Sequence, residues 1–292
     1  MKLLAKFNLI LGLVLGAGLL VAAAVSHNFL REGAREEVLR QARLMMEAMR
    51  ASRDYTTRQI KPLLETQQEH QRSFLPQTVP AFAATENFDY LQTSYPDYAY
   101  KEAALNPTNL RDRAVDWEAD IINTFRNRHG SSNEVVGERD TPTGRTLYLA
   151  RPIQAEPPCL PCHSTPRAAP ASMIRRYGPN HGFGWQAHEI IGAQIVSVPM
   201  AVPVRMANQA FQTLVTYLAG VFIASLVLLD IVLLFTVVRP LRLLSTMADQ
   251  ISLGRMNLPE LPVRGRDEIA VLAGSFNRMQ RSLERALKLL DD

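Results

Sequence analysis

The sequence predicts an α+β domain held between two transmembrane helices and followed by a short parallel coiled coil. A pair of strongly apolar runs predicts the membrane helices. A long amphipathic segment followed by β-hairpin patterning between these runs predicts the α+β domain. A heptad spacing of apolar residues after the second run predicts the coiled coil. The chain has 292 residues, 47% hydrophobic and 21% charged, which leaves room for one sizeable domain plus accessory segments.

The first apolar run, Phe7–Val25, carries no charge. At about 1.5 Å per residue it nearly spans a ~30 Å hydrocarbon core. Lys2 and Lys6 precede it, which predicts a cytoplasmic N-terminus for residues 1–6 and a first span over 7–29. Ala22–Ala24 would suit signal-peptide cleavage, but the run exceeds the ~7–15 residues usual for a signal sequence, so we expect an uncleaved anchor.

The second run predicts a span over 213–238 that ends at Arg239. Residues 30–212 would then lie outside the cytoplasm, in the periplasm of a bacterial inner-membrane protein, and 239–292 would return to the cytoplasm. Asp230 is the one charge within the run. A coupling role in the helix bundle is one interpretation; we favour a position close enough to the cytoplasmic end to reach water or Arg239.

The segment between the spans begins with a helix-forming stretch over 34–60. Leu39, Ala42, Met46, Met49 and Arg53 recur at three- and four-residue steps, which predicts one apolar face. Further helices are expected over 81–93 and about 112–128. The turn-rich cluster at 140–144 between β-branched runs predicts a hairpin, and 189–200 a further strand that ends at Pro199. This combination is typical of an α+β domain.

Apolar residues in the tail follow heptad steps on either side of a connector with Gly254, Pro259, Pro262 and Gly265. The two sets are Val237, Leu241, Leu244, Ala248 and Ile251, and then Ile269, Leu272, Phe276, Met279, Leu283, Ala286 and Leu290. Two short heptad helices joined in this way predict a parallel coiled coil made by a homodimer.

The segments "RPLRLLSTMA" and "DEIAVLAGSFNRM" in this tail resemble the HAMP linker. The resemblance implies a module over 239–292 that relays conformational change from a membrane helix. No kinase, cyclase or methyl-accepting region follows in this sequence, so we expect the output to come from a separate kinase, cyclase or chemotaxis-type protein.

The chemistry-bearing motif is "CLPCH", with Cys159, Cys162 and His163, and it holds both cysteines of the chain. Zinc usually needs four ligands from two such pairs, and no second pair exists. A redox dithiol prefers the start of a helix in a βαβ context, and this pair has prolines on both sides.

C-x-x-C-H is the attachment signature of haem c, whose vinyl groups bond to the two thiols while the adjacent histidine ligates the iron. We therefore predict one covalently bound haem c per chain. Cys159 and Cys162 would form the thioethers, and His163 would be the proximal iron ligand.

The other haem contacts are less defined by the sequence. For the distal iron ligand we favour Met49 or Met46 on the long helix, although methionines at helical spacing also suit core packing; an open site is a further alternative. The other candidates are Met45, His129, His181 and His188. Possible propionate partners are Arg151, Arg139 and Lys101, and possible pocket walls are Tyr148 and Trp185.

Several segments between the spans resemble the single-haem, PAS-like c-type sensor domains. They are "RDYTTRQIKPLL", "YKEAALNPTNLRDRAVDWEADIINTFR", "VGERDTPTGRTLYLARPI", "CLPCHSTP", "RYGPNHGFGW" and "IGAQIVSVPM". The resemblance implies a PAS-like fold with the haem held in a loop before the last strand.

These features predict a membrane-bound receptor that senses redox state or a diatomic gas and relays the change through the tail. The alternative is a membrane-anchored c-type cytochrome for electron transfer, which gives no reason for the heptad tail. We expect no enzymatic activity. The chain has no basic stripe with interleaved aromatics, so nucleic-acid binding is not expected.

Overall fold

The computed structural model describes residues 3–67, 72–127, 133–255 and 257–291. The helices are α1 (Leu3–Tyr55), α2 (Lys61–Glu65), α3 (Pro80–Gln92), α4 (Asp116–Asn127), α5 (Leu160–His163), α6 (Ala171–Tyr177), α7 (Ala201–Leu233), α8 (Arg239–Ser252) and α9 (Glu268–Asp291). The strands are β1 (Ala99–Ala104), β2 (Val135–Thr141), β3 (Gly144–Gln154) and β4 (Ile190–Pro199). The chain forms two compact units: a central unit, Asn28–Gln209, and a membrane–HAMP unit made of Met1–His27 and Ala210–Asp292.

The central unit contains a four-stranded antiparallel sheet in the order β1-β4-β3-β2. The predicted hairpin is confirmed, because β2 pairs with β3 from Val135↔Ala150 to Thr141↔Gly144. Gly144 has φ 120°, a backbone conformation that glycine adopts at little cost. The mixed helix and antiparallel sheet with a long N-terminal helix confirm the predicted α+β class.

The sheet is covered on both faces. On one face the predicted stripe of α1 is buried: Ala42, Met46 and Met49 pack with Leu147 and Val196. On the other face Ile121, Ile122 and Phe125 of α4 pack with Ala150, Ala193 and Ile195. Burying each large apolar side chain stabilises the fold by about 1.5–3 kcal/mol, so packing on both faces stabilises the two inner strands, β3 and β4.

A π-helical turn over Thr56–Ile60 joins α1 to α2. Pro62 lies in the first turn of α2. Proline has no N–H to donate to the preceding turn of helix, and its ring crowds the carbonyl of that turn, so the turn is disrupted. The hydroxyl groups of Thr56 and Thr57 donate to the carbonyls of Ser52 and Arg53, each at 2.9 Å. The predicted helix over 34–60 is therefore continuous, with a widened last turn.

The helix predicted from about Asp112 begins instead at Asp116. A 3₁₀ turn over Leu110–Asp112 precedes it, and the Asn109 side chain accepts a hydrogen bond from the Arg111 N–H at 3.2 Å. Asparagine competes well for backbone donors in this way, so the turn replaces the first turn of the predicted helix.

The membrane–HAMP unit includes the two apolar runs. Two helices, Leu4–Glu65 and Ala201–Ser252 counted through their π turns, are long and apolar enough to cross a membrane. Asn8 Nδ2 donates to Asp230 Oδ2 at 2.9 Å, so Asp230 has a polar partner on the other apolar run rather than Arg239. The Arg239 guanidinium lies over the Phe235 ring, 4.4 Å from its centroid.

The C-terminal part of this unit is built from α8, a connector and α9. Met247 and Ile251 of α8 pack with Leu261 of the connector and with Ala273 and Phe276 of α9.

The buried Asn277 amide clamps this connector. Its Oδ1 accepts from the Leu261 N–H and its Nδ2 donates to the Leu261 carbonyl, both at 2.9 Å. Asp267 Oδ1 accepts from the Ala270 N–H at 2.8 Å and thereby caps α9.

Candidate functional site

The two cysteines and the histidine of the C-x-x-C-H motif lie on one short helical segment. A 3₁₀ turn, Pro157–Cys159, leads directly into α5, which ends at His163. In a helix, residues three and four positions apart share a face, so Cys159, Cys162 and His163 lie on the same side of the segment. Both thiols are free and half-buried. The structure thus brings together the three residues predicted to hold the haem.

The His163 ring has a defined orientation. Its Nδ1 lies 2.8 Å from the Gly182 carbonyl oxygen, and a carbonyl can only accept, so Nδ1 carries the proton. The lone pair of Nε2 is therefore free to bind a metal. A ligating histidine commonly donates its other N–H to a backbone carbonyl in this way, which fixes the tautomer.

Electrostatics favours the same state of the ring. Burial lowers the pKa of His163 below its ordinary value, and the hydrogen bond to Gly182 only partly opposes this. The neutral imidazole, which is the form that binds iron, is therefore favoured at neutral pH. Burial also raises the pKa of the Cys162 thiol, with a smaller opposing effect from Lys61.

The loop over 181–185 wraps around the motif. Trp185 stacks on His163 with ring centroids 3.9 Å apart and an interplanar angle of 9°. The Trp185 N–H donates to the His163 carbonyl at 3.2 Å, and the Gly184 N–H donates to the Ser164 carbonyl at 3.1 Å. Trp185, predicted as a pocket wall, thus lies against the imidazole itself.

A second loop, after β1, supports the 181–185 loop from outside. Asn106 Oδ1 accepts from the Gly182 N–H at 3.2 Å, and Thr108 Oγ1 lies 3.4 Å from His163 Nδ1. Gly182 has φ +79°, and an added Cβ would lie 2.8 Å from Thr108 backbone atoms. Asn106, Thr108 and Gly182 are positioning residues that sequence reasoning missed, although "NPTN" and "NHGFGW" each stand out as turn sequences.

The motif lies near the end of α1. Arg53, whose side chain is three-quarters buried, forms an ion pair with Glu102, which accepts a hydrogen bond from Tyr100 Oη at 2.7 Å. Burial lowers the pKa of Arg53, but the Glu102 carboxylate and, to a smaller extent, Cys159 raise it above its ordinary value. Lys61 in turn lowers the pKa of the Cys162 thiol, so the two ends of the segment from Arg53 to Lys61, which contains the π turn, lie within electrostatic range of the motif. Such turns occur frequently at functional sites.

The methionines proposed as distal ligands lie in the core between α1 and the sheet. Met46 is fully buried, Met49 is 9% exposed, and Met45 packs at the edge of the same cluster. His188 is exposed with φ 66°, and its N–H donates to the Ala155 carbonyl at 2.7 Å. His129 lies outside the described residues.

The cations considered for the propionates have other partners. Arg151 forms ion pairs with Glu47 at 2.5 Å and Glu134 at 3.2 Å. Lys101 bonds to Glu118 at 2.7 Å. Arg139 stacks on Trp117, which also packs against Tyr148 with ring centroids 5.4 Å apart. Lys101 and Arg139 also line a cavity beside β1 and the start of α4.

The residues at the motif fit a haem c. The paired thiols on one face of a short helix and an adjacent imidazole with a free Nε2 are the donor set this group requires. Within the part of the chain that the structure describes, no group of three or more His, Cys, Asp or Glu side chains is arranged to hold a metal ion. The site therefore does not have the four ligands of a structural zinc centre.

Comparison with protein-family models identifies two domains in the chain. The Tll0287-like family model matches residues 31–199, which is more than half of the chain. The chain belongs to the Tll0287-like family. The HAMP domain model matches residues 232–285, which begin within the last residues of the second apolar run, and so confirms the expected linker.

Among solved structures, the chain is similar to the cyanobacterial haem protein Tll0287. The match has 15% sequence identity and a TM-score of 0.44, and it covers 56% of this chain and 95% of that chain. A comparison with curated proteins finds no match. A Tll0287-like domain between two candidate membrane helices, joined to a HAMP domain, indicates a membrane signal transducer.

Proposed function

We propose that the chain is a membrane-bound haem c receptor that senses redox state or a diatomic gas and relays the change through its HAMP domain. The protein would lie in a bacterial inner membrane, with the Tll0287-like domain in the periplasm. The observation that carries the proposal is the His163 geometry: within a haem-family domain, Nδ1 donates to Gly182 and Nε2 is left free beside two thiols.

Each residue of the motif has a defined part in holding the group. Cys159 and Cys162 would be the thioether attachments and His163 the proximal ligand, with Gly182 and Trp185 fixing the plane of its ring. Bound haem c would supply an iron that cycles between ferric and ferrous states or binds a diatomic gas. A change in what Nε2 binds would alter the strength of the Nδ1 hydrogen bond to Gly182, and with it the support of the 181–185 loop.

For the distal ligand, the structure supports Met49 over Met46. Met49 is one helical turn before Arg53, whose charge is close enough to Cys159 to interact with it, whereas Met46 is a further turn away and fully enclosed by the core. Of the two, we therefore propose Met49 as the distal ligand.

The relay would use the helices that connect the domain to the membrane. α1 contains both the first apolar run and the buried stripe that ends at Arg53, and β4 is followed directly by α7. In α9, Leu272, Met279 and Leu283 are 43%, 48% and 38% exposed and share one face. A second copy of the chain would cover this face in a homodimer, as in a parallel coiled coil, and the output would pass to a cytoplasmic kinase, cyclase or chemotaxis-type partner.

Covalent attachment is tested by staining for haem after denaturing electrophoresis of protein made with a haem c maturation system. We expect the stain to stay with the wild-type chain and with a His188→Asn control, because His188 is exposed and asparagine tolerates its backbone conformation. We expect a Cys159→Ala, Cys162→Ala double variant to lose the stain. A stain that persists in the double variant, or is absent from the wild type, would contradict the proposal.

The stimulus is tested by absorption spectra of the reduced protein before and after addition of carbon monoxide. A changed spectrum supports gas sensing. An unchanged spectrum together with reversible oxidation and reduction supports redox sensing.

A further inference from the structure

The central unit has a cavity of about 560 Å³, on the sheet face covered by α4, that the proposed haem site does not use. It is bounded by β1, the 3₁₀ turn before α4, the start of α4, and the end of α3. Small-molecule pockets commonly have volumes of ~300–1,000 Å³. The charged and aromatic residues that define it are Lys101, Arg111, Asp112, Trp117, Glu118 and Arg139.

Two of the three cations in this cavity already have carboxylate partners. Lys101 Nζ lies 2.7 Å from Glu118 Oε2 and 2.8 Å from the Arg113 carbonyl. Arg111 Nη1 lies 2.9 Å from Glu86 Oε1, and its Nε lies 3.7 Å from Asp112 Oδ1. These pairs build the wall of the cavity and leave little capacity to bind a further anion.

Arg139 is different. Its guanidinium lies over the Trp117 ring at 4.2 Å from the centroid, and it makes no ion pair or side-chain hydrogen bond with any residue that the structure describes. Stacking fixes the plane of the guanidinium without using its N–H donors. A held guanidinium with free donors is suited to bidentate binding of a carboxylate.

Two carboxylates in the same cavity supply the opposite charge. Asp112 is mostly buried, with a single weak ion pair to Arg111, and burial raises the pKa of Asp112 to about 6. Asp89 lies exposed at the rim and forms no ion pair within the described residues. An incoming ammonium group would stabilise both carboxylates in their charged form.

We propose that this cavity binds a small zwitterion of the α-amino-acid class. The ligand carboxylate pairs with Arg139, its ammonium group pairs with Asp112 and Asp89, and Trp117 forms an apolar wall for its side chain. A zwitterion complements the unpaired Arg139 on one side and the unpaired Asp89 and weakly paired Asp112 on the other, whereas a simple anion or cation would complement only one of these charges.

The cavity also has a short route to His163. Asp112 is four residues after Thr108, which lies 3.4 Å from His163 Nδ1, and Asn106 accepts from the Gly182 N–H in the same loop. A ligand that moves Asp112 moves this loop and so changes the support of the imidazole. This coupling rests on the proposed haem function, whereas the binding itself does not.

The binding test uses the full-length haem-loaded protein in nanodiscs and isothermal titration calorimetry with each of the twenty standard amino acids at about 1 mM. We expect at least one to bind, and its N-acetyl and methyl ester derivatives to bind at least about tenfold more weakly, since each removes one charged hydrogen-bonding group. Arg139→Gln and Asp112→Asn are expected to cause a similar loss. Arg145→Gln, at an exposed arginine of the same hairpin, is the matched control and should bind as the wild type does.

The proposal is overturned if none of the twenty binds, or if Arg139→Gln binds as tightly as the wild type while its haem absorption spectrum shows a native fold. The coupling predicts that the bound amino acid shifts the haem absorption spectrum, and binding without any spectral change overturns it. Loss of haem stain would overturn the proposed function, but calorimetry would still report on the cavity.

Discussion

Gly182 is the residue on which the orientation of His163 depends most directly. Its carbonyl accepts a hydrogen bond from His163 Nδ1–H, and its N–H donates to Asn106 Oδ1. Its φ is positive, and the Thr108 backbone lies too close to leave room for a side chain. These contacts join positions 19 to 76 residues apart in the chain, so the motif itself carries no signal of them. The sequence therefore singles out the three residues of the motif but not the residues that orient His163.

We expect Gly182→Ala to destabilise the central unit by about 2–4 kcal/mol and to change the haem absorption spectrum. The strained φ costs about 1 kcal/mol, and overlap with the Thr108 backbone adds to it. The measurement is unfolding by denaturant, followed through the haem absorption band.

Gly184→Ala is the matched control. Gly184 has a similar φ of +85°, but an added Cβ would meet no atom within 4 Å, so only the cost of about 1 kcal/mol is expected. Equal losses in the two variants would show that the Thr108 contact does not matter.

Asp112 gives a pH dependence with a defined sign. Burial raises its pKa in the folded protein to about 6 from 3.8, so the folded state binds a proton more readily than the unfolded state. The destabilisation it causes is absent below about pH 4 and grows to its full size above about pH 6. The charged groups that face Asp112 from the surrounding elements are Arg111, Lys101, Glu102, Asp89, Glu118 and Arg139.

We therefore expect Asp112→Asn to raise the melting temperature more at pH 7.5 than at pH 5.0, relative to the wild type. At each pH, thermal unfolding gives the melting temperature of Asp112→Asn minus that of the wild type, and the titration of all other groups cancels in this subtraction. The same melting-temperature difference at pH 5.0 and pH 7.5 would contradict the raised pKa of Asp112.

At the scale of elements, the ion pair between Arg53 and Glu102 connects α1 to β1 beside the motif. Glu102 is 6% exposed, and it also accepts a hydrogen bond from Tyr100. Removing one partner of a buried pair leaves an uncompensated charge and costs about 3–5 kcal/mol. We expect Glu102→Gln to reduce the free energy of unfolding of the central unit by that amount.

Glu37→Gln is the control for this variant. Glu37 pairs with Arg40 on the same helix, where both side chains are largely exposed, so a change of about 0–0.5 kcal/mol is expected. Denaturant unfolding of both variants decides the matter, and a small loss for Glu102→Gln would show that α1 is not fixed by this pair.

The connector of the HAMP domain depends on Asn277. Its amide satisfies both backbone groups of Leu261 inside the core, so Asn277→Ala leaves a buried donor and acceptor unpaired at a cost of about 2–4 kcal/mol. We expect trypsin to cut faster at Arg264 and Arg266, which lie in the connector. Ser275→Ala, at an exposed position of α9, should leave the rate unchanged, and unchanged cleavage of Asn277→Ala would contradict the clamp.

The long helices and the hairpin are predictable from the sequence because their signals are local. The stripe from Leu39 to Arg53 has helical periodicity, and Gly144 marks the turn between β2 and β3. The pairing of β1 with β4 is not local, since residues near 100 meet residues near 195, and no short pattern specifies such a pair. The helix start at Asp116 is not predictable from periodicity, because the Asn109 side chain caps a separate turn before it.

At the scale of the whole molecule, the Tll0287-like domain and the HAMP domain stand in one chain with two candidate membrane helices. The central claim is that the redox or ligand state of a haem at His163 changes the arrangement of the HAMP helices. A stimulus can switch a receptor only if it stabilises one of two conformations more than the other. The account therefore requires two distinguishable arrangements of the HAMP helices.

The most direct test is the distance between gadolinium labels at a Ser275→Cys position in the two copies of the proposed homodimer in nanodiscs, measured by pulsed electron paramagnetic resonance. If the thioethers use both native cysteines, only the introduced one takes a label. We predict that the distance changes by about 1–2 Å or more between oxidised and reduced protein, or on addition of nitric oxide. Identical distance distributions in all of these states would contradict the account.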